Sequence, residues 1–412
     1  MQISRSAANW PDDLRTQRFS IFSTFGPRRC AWRASCLFIC LILIAGCTKE
    51  SHQPKDILNV VRCGSKVELG ALISGGIALC GGDEEVSLVE AAYNLRMEKF
   101  DRSLKDISRV DPNGRFRADA LWIAGESLYR MGNTAAALPL LTTLIKEMPD
   151  HVQGRKCLAA IYYDLGAMEN AKTELKQVCN LDSTDYRPYA LLGRICLDFS
   201  DYEESIGYFN SAFSSAELET QKAQIEPFLA QAMCRSRHYE DLLNRQYLRP
   251  DDAIVRTCCA EALWSTGKAS EARRLIDAVL ASFPDMPETL LLSARLHSTS
   301  GEPKLAIQQL ERILRADHHN VLARNQLALA FRQIGDEKSF QENMALFTAG
   351  QELQNELVAL NAEVIKKVGT QSTYYRISEV CTKLGKIDLA EHWRKVAAGI
   401  GRPPLAVPAE RQ

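Results

Sequence analysis

Apolar and small residues recur along this chain with a period of about 34 residues, and that period limits what it can fold into more than any other feature. The window from Ala118 to His151 carries Leu121, Ala124, Gly125, Leu128, Gly132, Ala137, Leu141, Leu144 and Pro149. The same offsets return as Leu158, Ala159, Tyr162, Gly166, Ala171, Leu175 and Val178, and then as Tyr189, Leu192, Gly193, Cys196, Ser205, Phe209 and Ala212. After a looser stretch they resume with Cys259, Ala260, Leu263, Gly267, Ala272, Ile276, Val279 and Pro284. Two further windows follow at the same interval. Windows beginning at 118, 152 and 186, and again at 253, 287 and 321, keep one spacing, with roughly two periods between the two sets. Chance does not produce that regularity.

The spacing describes a pair of antiparallel helices that cannot bury its apolar face alone and must stack on its neighbours. Small residues such as Gly125, Ala159, Gly193, Ala260, Ala294 and Ala328 mark where the two helices of a pair cross closely. Ala137, Ala171, Ala272 and Ala306 do the same from the second helix. Gly132, Gly166, Gly267, Gly301, Gly335 and Gly385 end first helices, where a left-handed backbone is easiest without a Cβ. Pro303 suits the start of a second helix, whereas Pro139 lies deeper in one and is expected to kink it.

These offsets resemble the tetratricopeptide repeat, in which W-x2-L-G-x2-Y, then A-x3-F, then P recur at this same period. The resemblance implies an all-α fold, a right-handed solenoid of antiparallel helix pairs with about 8 units in this chain. Repeats are expected over 84–219 and 253–347, with a degenerate one of shortened second helix at 220–252. Leu353, Leu357, Leu360, Val364 and Val368 then form a helical stripe, an extended helix at 348–370, before a capping repeat at 371–400 and a disordered tail at 401–412.

The amino-terminal part obeys a different logic. Arg28, Arg29 and Arg33 precede a short apolar run, Cys36 to Ala45, that is below the roughly 20 residues needed to span a bilayer. The run ends Leu43-Ile44-Ala45-Gly46-Cys47, which resembles a bacterial lipobox. Residues 1–46 are thus expected as a leader and signal peptide, Cys47 as the lipidation site, and 47–83 as an attachment site and tether. That reading places the chain in a bacterial cell envelope, lipid-anchored and facing the periplasm or exterior. An uncleaved amino-terminal membrane anchor is the alternative. Leu69 to Cys80 is apolar but holds Gly70, Gly75 and Gly76, and carries no assignment to helix or strand; Cys63 and Cys80 are candidates for a disulfide.

Signals for chemistry are missing from the sequence. There is no G-x-x-x-x-G-K-[ST], no H-E-x-x-H and no Cys-x-x-Cys pair, so no catalytic residues, metal or cofactor are expected. A net charge of −1 supplies no basic excess for nucleic acid. The cysteines within the repeats fall mostly at core positions, and His318 and His319 in an inter-repeat loop. What remains is a surface for binding. In the family that these repeats resemble, first helices line a concave groove for peptide segments, and the matching positions here are Trp122, Glu126, Tyr129, Lys156, Tyr163, Arg194, Trp264, Arg295, Arg332 and Tyr375. Aromatics and arginines are enriched at binding hot spots. The expected function is a non-enzymatic scaffold whose partners are proteins or peptides, with the membrane reached through the lipid anchor; a cytoplasmic regulator using the same repeats is the alternative. The carboxylate-gripping lysines and asparagines of one subset of that family are replaced by Trp122, Glu126 and Ala160, so that docking mode is not expected.

Overall fold

The computed structural model describes residues 54–74, 82–165, 167–245, 251–366 and 370–400. The leader, Cys47, Gly166, Val368, Cys80 and the 401–412 tail lie outside the described residues. Two compact units divide the chain, the first ending at Asp164 and the second running from Leu165 to Ala398. All 20 helices described are α-helices, and no described residue is in a strand.

The first unit holds α1 (Pro54–Cys63), α2 (Lys66–Ser74), α3 (Asp83–Arg96), α4 (Phe100–Ile107), α5 (Arg117–Arg130), α6 (Thr134–Glu147) and α7 (Val152–Asp164). From α3 onward each helix packs on the next, and the first helices α3, α5 and α7 also pack side by side. Helices α1 and α2 are a correction to the tether expected at 47–83. Ile57, Val61 and Leu69 are buried there, and burial rather than propensity forms these short helices. Cys63 is a free, exposed thiol.

The second unit begins with α8 (Met168–Leu181), α9 (Tyr186–Asp198) and α10 (Tyr202–Ser215). The irregular stretch that follows holds a long α11 (Glu219–Arg235) and a six-residue α12 (Tyr239–Asn244). Regular pairs resume as α13 (Ala253–Ser265) with α14 (Ala269–Ser282) and α15 (Pro287–Thr299) with α16 (Pro303–Ala316). The unit closes with α17 (Val321–Gln333), the 30-residue α18 (Glu337–Lys366), α19 (Gln371–Lys383) and α20 (Ile387–Ile400). First helices α9, α11, α13, α15 and α17 contact one another in turn, the stacking that defines a helical solenoid.

Close crossings explain the small residues. A Cβ on Gly193 would stand 2.8 Å from ring atoms of Phe209, and one on Gly125 would stand 2.7 Å from Leu141. Where serine stands at such a crossing its hydroxyl is satisfied by a backbone carbonyl of the paired helix. Ser205 Oγ donates to Gly193 O at 2.7 Å and Ser103 Oγ to Ala91 O at 2.9 Å. Gly132, Gly267, Gly301, Gly335 and Gly385 all turn with φ between 73 and 86°, the left-handed region expected of a helix end. Asn133, Asp252 and Asn320 cap the helices that follow them by accepting backbone N–H bonds. Helix α6 runs on through Pro139, whose exposed ring removes one backbone donor from the outer face. The second half of α18 buries Leu357 and Val364 against a cluster built on Tyr374 and Trp393, whose rings stack at 5.6 Å.

Candidate partner-binding faces

In the first unit, the first-helix positions nominated from sequence are largely engaged within the protein. Trp122 on α5 is 2% exposed and donates its indole N–H to Glu126 at 2.8 Å. Burial pushes the Glu126 carboxyl up, against the pull of the Arg96 and Arg130 cations. Tyr129 donates its hydroxyl to Asp164 at 2.6 Å. Lys156 and Tyr163 on α7 are buried. Trp122, Lys156 and Tyr163 therefore present no open surface as the unit stands, and their contribution here is to packing.

The second unit offers more. At its amino-terminal end Arg194 on α9 is buried, with its guanidinium 4.1 Å from the Phe228 ring centroid on α11. This is a correction to an exposed cation. The long α11 of the irregular stretch brings Phe228 over it, an arrangement the repeat pattern does not encode. Asp198, one turn along α9, has its carboxyl pushed up to about 6 by burial, with Arg194 opposing. Sequence reasoning passed over Asp198 because a single carboxylate at a helix end carries no signal of its own.

Further along, α13, α15 and α17 build an accessible face. Arg295 Nη1 donates to Glu261 Oε1 at 3.1 Å, and its guanidinium lies 4.9 Å from the Trp264 ring centroid. One ion pair and one aromatic platform thus fix the direction of an exposed arginine. On α17, Leu322 and Leu329 are exposed at 41% and 43%, and Arg332 is exposed beside the Phe340 ring at 5.4 Å. Leu322, Leu329 and Arg332 are spaced at i, i+7 and i+10 and share one helix face. Tyr375 on α19 is 41% exposed. Glu261, Leu322 and Leu329 were not nominated from sequence. For Glu261 and Leu329 the signal was available, since each sits at the first-helix position of Glu126, Arg194 and Arg295; Leu322 stands at the position of Asp119 and Gln153, which carried no nomination.

Among the described residues no cluster of His, Cys, Asp and Glu side chains could hold a metal ion. No helix among them is long and apolar enough to cross a membrane. A cleft of about 210 Å³ between the loop before α17, α18 and the end of α19 is lined by His318, His319, Arg324, Leu353 and Lys383. Arg324 there is already committed to Asn343 Oδ1 at 3.0 Å and the His318 carbonyl at 3.3 Å.

Stacked helix pairs with one face of exposed aromatic, leucine and arginine side chains define a protein-interaction scaffold. Tetratricopeptide repeat profiles match the repeats at residues 124–179 and 263–330. None of the curated proteins matches the chain significantly. Solved structures that resemble it include a tetratricopeptide repeat protein from Parabacteroides merdae, at 15% identity over 61% of this chain and 100% of that one, with a TM-score of 0.41. PilF of Pseudomonas aeruginosa gives 18% identity over 55% and 96%, with a TM-score of 0.37. A human IFIT1 dimer with PPP-AAAA gives 12% identity over 85% and 100%, with a TM-score of 0.35.

Proposed function

We propose that this chain is a scaffold that holds an extended protein segment, apolar with an acidic group, across α13, α15 and α17, and that Cys47 anchors it by lipid in a bacterial envelope. The observation that carries the binding part is the arrangement on those three helices. Arg295 is held over Trp264 by Glu261, while Leu322, Leu329 and Arg332 stand exposed on α17. First helices of neighbouring repeats stand about 10 Å apart, so the roughly 20 Å from Trp264 on α13 to Leu329 on α17 takes an extended segment of about six residues. Arginine donates two parallel N–H bonds to a carboxylate, and leucine and tryptophan contribute area at low ordering cost.

Selection of displayed peptides on the intact chain tests this. Ligands with apolar and acidic residues are expected, and Arg332→Ala or Leu329→Ala should each weaken them by at least about 1 kcal/mol. Unchanged affinity in the double variant would remove the site from this face. The anchor rests on the order of basic, apolar and small residues before Cys47. Palmitate labelling that disappears in Cys47→Ser is expected; labelling that persists would overturn it.

A further inference from the structure

Helix α1 has no counterpart in the repeat pattern, and the first helices of three successive repeats hold its end. Arg62 Nε and Nη2 donate to the two carboxylate oxygens of Asp119 on α5 at 2.6 and 2.9 Å. Arg96 on α3 donates to the Val61 carbonyl at 2.7 Å, and Gln153 on α7 donates to the Arg62 carbonyl at 3.2 Å. The last carbonyls of α1 have no partners within their own helix, so these two side chains act as its cap. Asp119 and Gln153 stand one period apart and occupy one repeat position. They lie on the first-helix side, where such arrays receive ligands.

The face is built for a cation. Asp119 is 1% exposed, and burial works to raise its carboxyl; the neighbouring His151 imidazole and the two Arg62 bonds outweigh burial and hold it below the usual carboxylate range. The Gly154 N–H donates to His151 Nδ1 at 3.0 Å, which leaves Nε2 directed at Asp119 at 3.6 Å. The arginine supplies what the buried carboxylate needs. The apolar part of α1 is small: Ile57 and Val61, four residues apart, are its buried side chains among those described. A ten-residue helix is marginal by itself, and one seated by two apolar residues and one ion pair belongs to the low-stability end of a fold.

We propose that the face formed by α3, α5 and α7 is a binding site for amphipathic helices that end in arginine. Residues 54–63 are its resident occupant, and a partner chain carrying the same chemistry enters by displacing them. The entering segment has two apolar residues four apart with an arginine directly after the second, as in Ile57, Val61 and Arg62. This extends the scaffold reading to the other unit and does not depend on α13, α15 or α17.

The test uses the full chain and a fluorescein-labelled peptide with the sequence of residues 54–63. Arg62→Ala in the chain weakens the resident helix, and the peptide should then bind at least about tenfold tighter than to the native chain. Saturating peptide should also raise hydrogen exchange at amides 57–62 of the native chain, while a peptide carrying the same Arg62→Ala change should do neither. No binding to an Arg62→Ala chain that keeps its helical circular dichroism overturns the proposal. So does equal binding by the peptide lacking arginine. Concentration-dependent self-association of the native chain, abolished by the peptide, would make the entering segment that of a second copy and overturn the partner assignment. Arg332→Ala should leave this peptide's binding unchanged, so failure here and failure at the α17 face are distinguishable.

Discussion

The crossing at Gly193 gives the sharpest check of the helix pairing, because it has an internal control on the partner helix. A Cβ at 193 would lie 2.8 Å from Cδ1 and Cε1 and 3.0 Å from Cγ of Phe209, whose side chain is fully buried and stacks on Phe228 at 6.1 Å. The ring cannot swing away without breaking that stack, and Ser205 Oγ ties the backbone at the same crossing. Gly193→Leu should therefore carry an overpacking cost near the upper end of the usual ~1–3 kcal/mol. Leucine recovers somewhat under ~1 kcal/mol of helix propensity over glycine, which leaves a net loss of about 2 kcal/mol. Gly207 lies in α10 with no heavy atom within 4 Å of its Cβ position. Gly207→Leu should show the propensity term alone, a gain somewhat under ~1 kcal/mol. Urea midpoints of the helical signal, with hydrogen exchange at α9 and α10, measure both. Equal shifts in one direction would refute the crossing and with it the repeat register.

Two more outcomes follow from particular groups. Asp198 has a folded-state pKa raised to about 6, so its ionisation lowers stability as pH rises through that value and costs nothing below the ordinary carboxylate range. Asp198→Asn should raise the urea midpoint at pH 8 and leave it nearly unchanged at pH 4; a difference that ignores pH would contradict the burial. Arg237 turns at φ 64° where five described turns use glycine, and a left-handed backbone costs a non-glycine residue ~1–2 kcal/mol. Arg237→Gly should therefore stabilise by about 0.5–1 kcal/mol in the same assay once the chain-entropy cost of glycine is deducted, and a loss would mean its side chain holds the turn.

The fold was legible because its determinants are local and repeat. Gly267, Gly301 and Gly335 announce left-handed turns at fixed intervals, and Ala260, Ala294 and Ala328 announce close crossings, whatever the remaining surface does. The two helices at 54–74 were not legible for the opposite reason. Nothing in Pro54–Cys63 or Lys66–Ser74 makes a stable helix alone, and Gly70 argues against one. Helix α1 forms because Asp119, Arg96 and Gln153, up to 91 residues away, receive its end, and α2 because it packs on α3. Long-range partners of that kind leave no periodic trace.

Exposure on the first-helix face has the same character, and the ninth position of each repeat window shows why. That position holds Glu126, Ala160, Arg194, Glu261, Arg295 and Leu329. One repeat position gives five different outcomes. Glu126 is drawn under Trp122, Ala160 is buried, and Arg194 is covered by Phe228 from the irregular α11. Glu261 and Arg295, opposite charges one period apart on adjacent first helices, close on each other, and that pairing could have been inferred from the ladder alone. Leu329 stands open. A periodic sequence specifies which side chains stand in a row; whether they face a ligand depends on what the irregular elements, α1 and α11, lay across them. Among the described residues, a face left uncovered is the one formed by α13, α15 and α17, where regular pairs follow one another and no described extra helix intervenes.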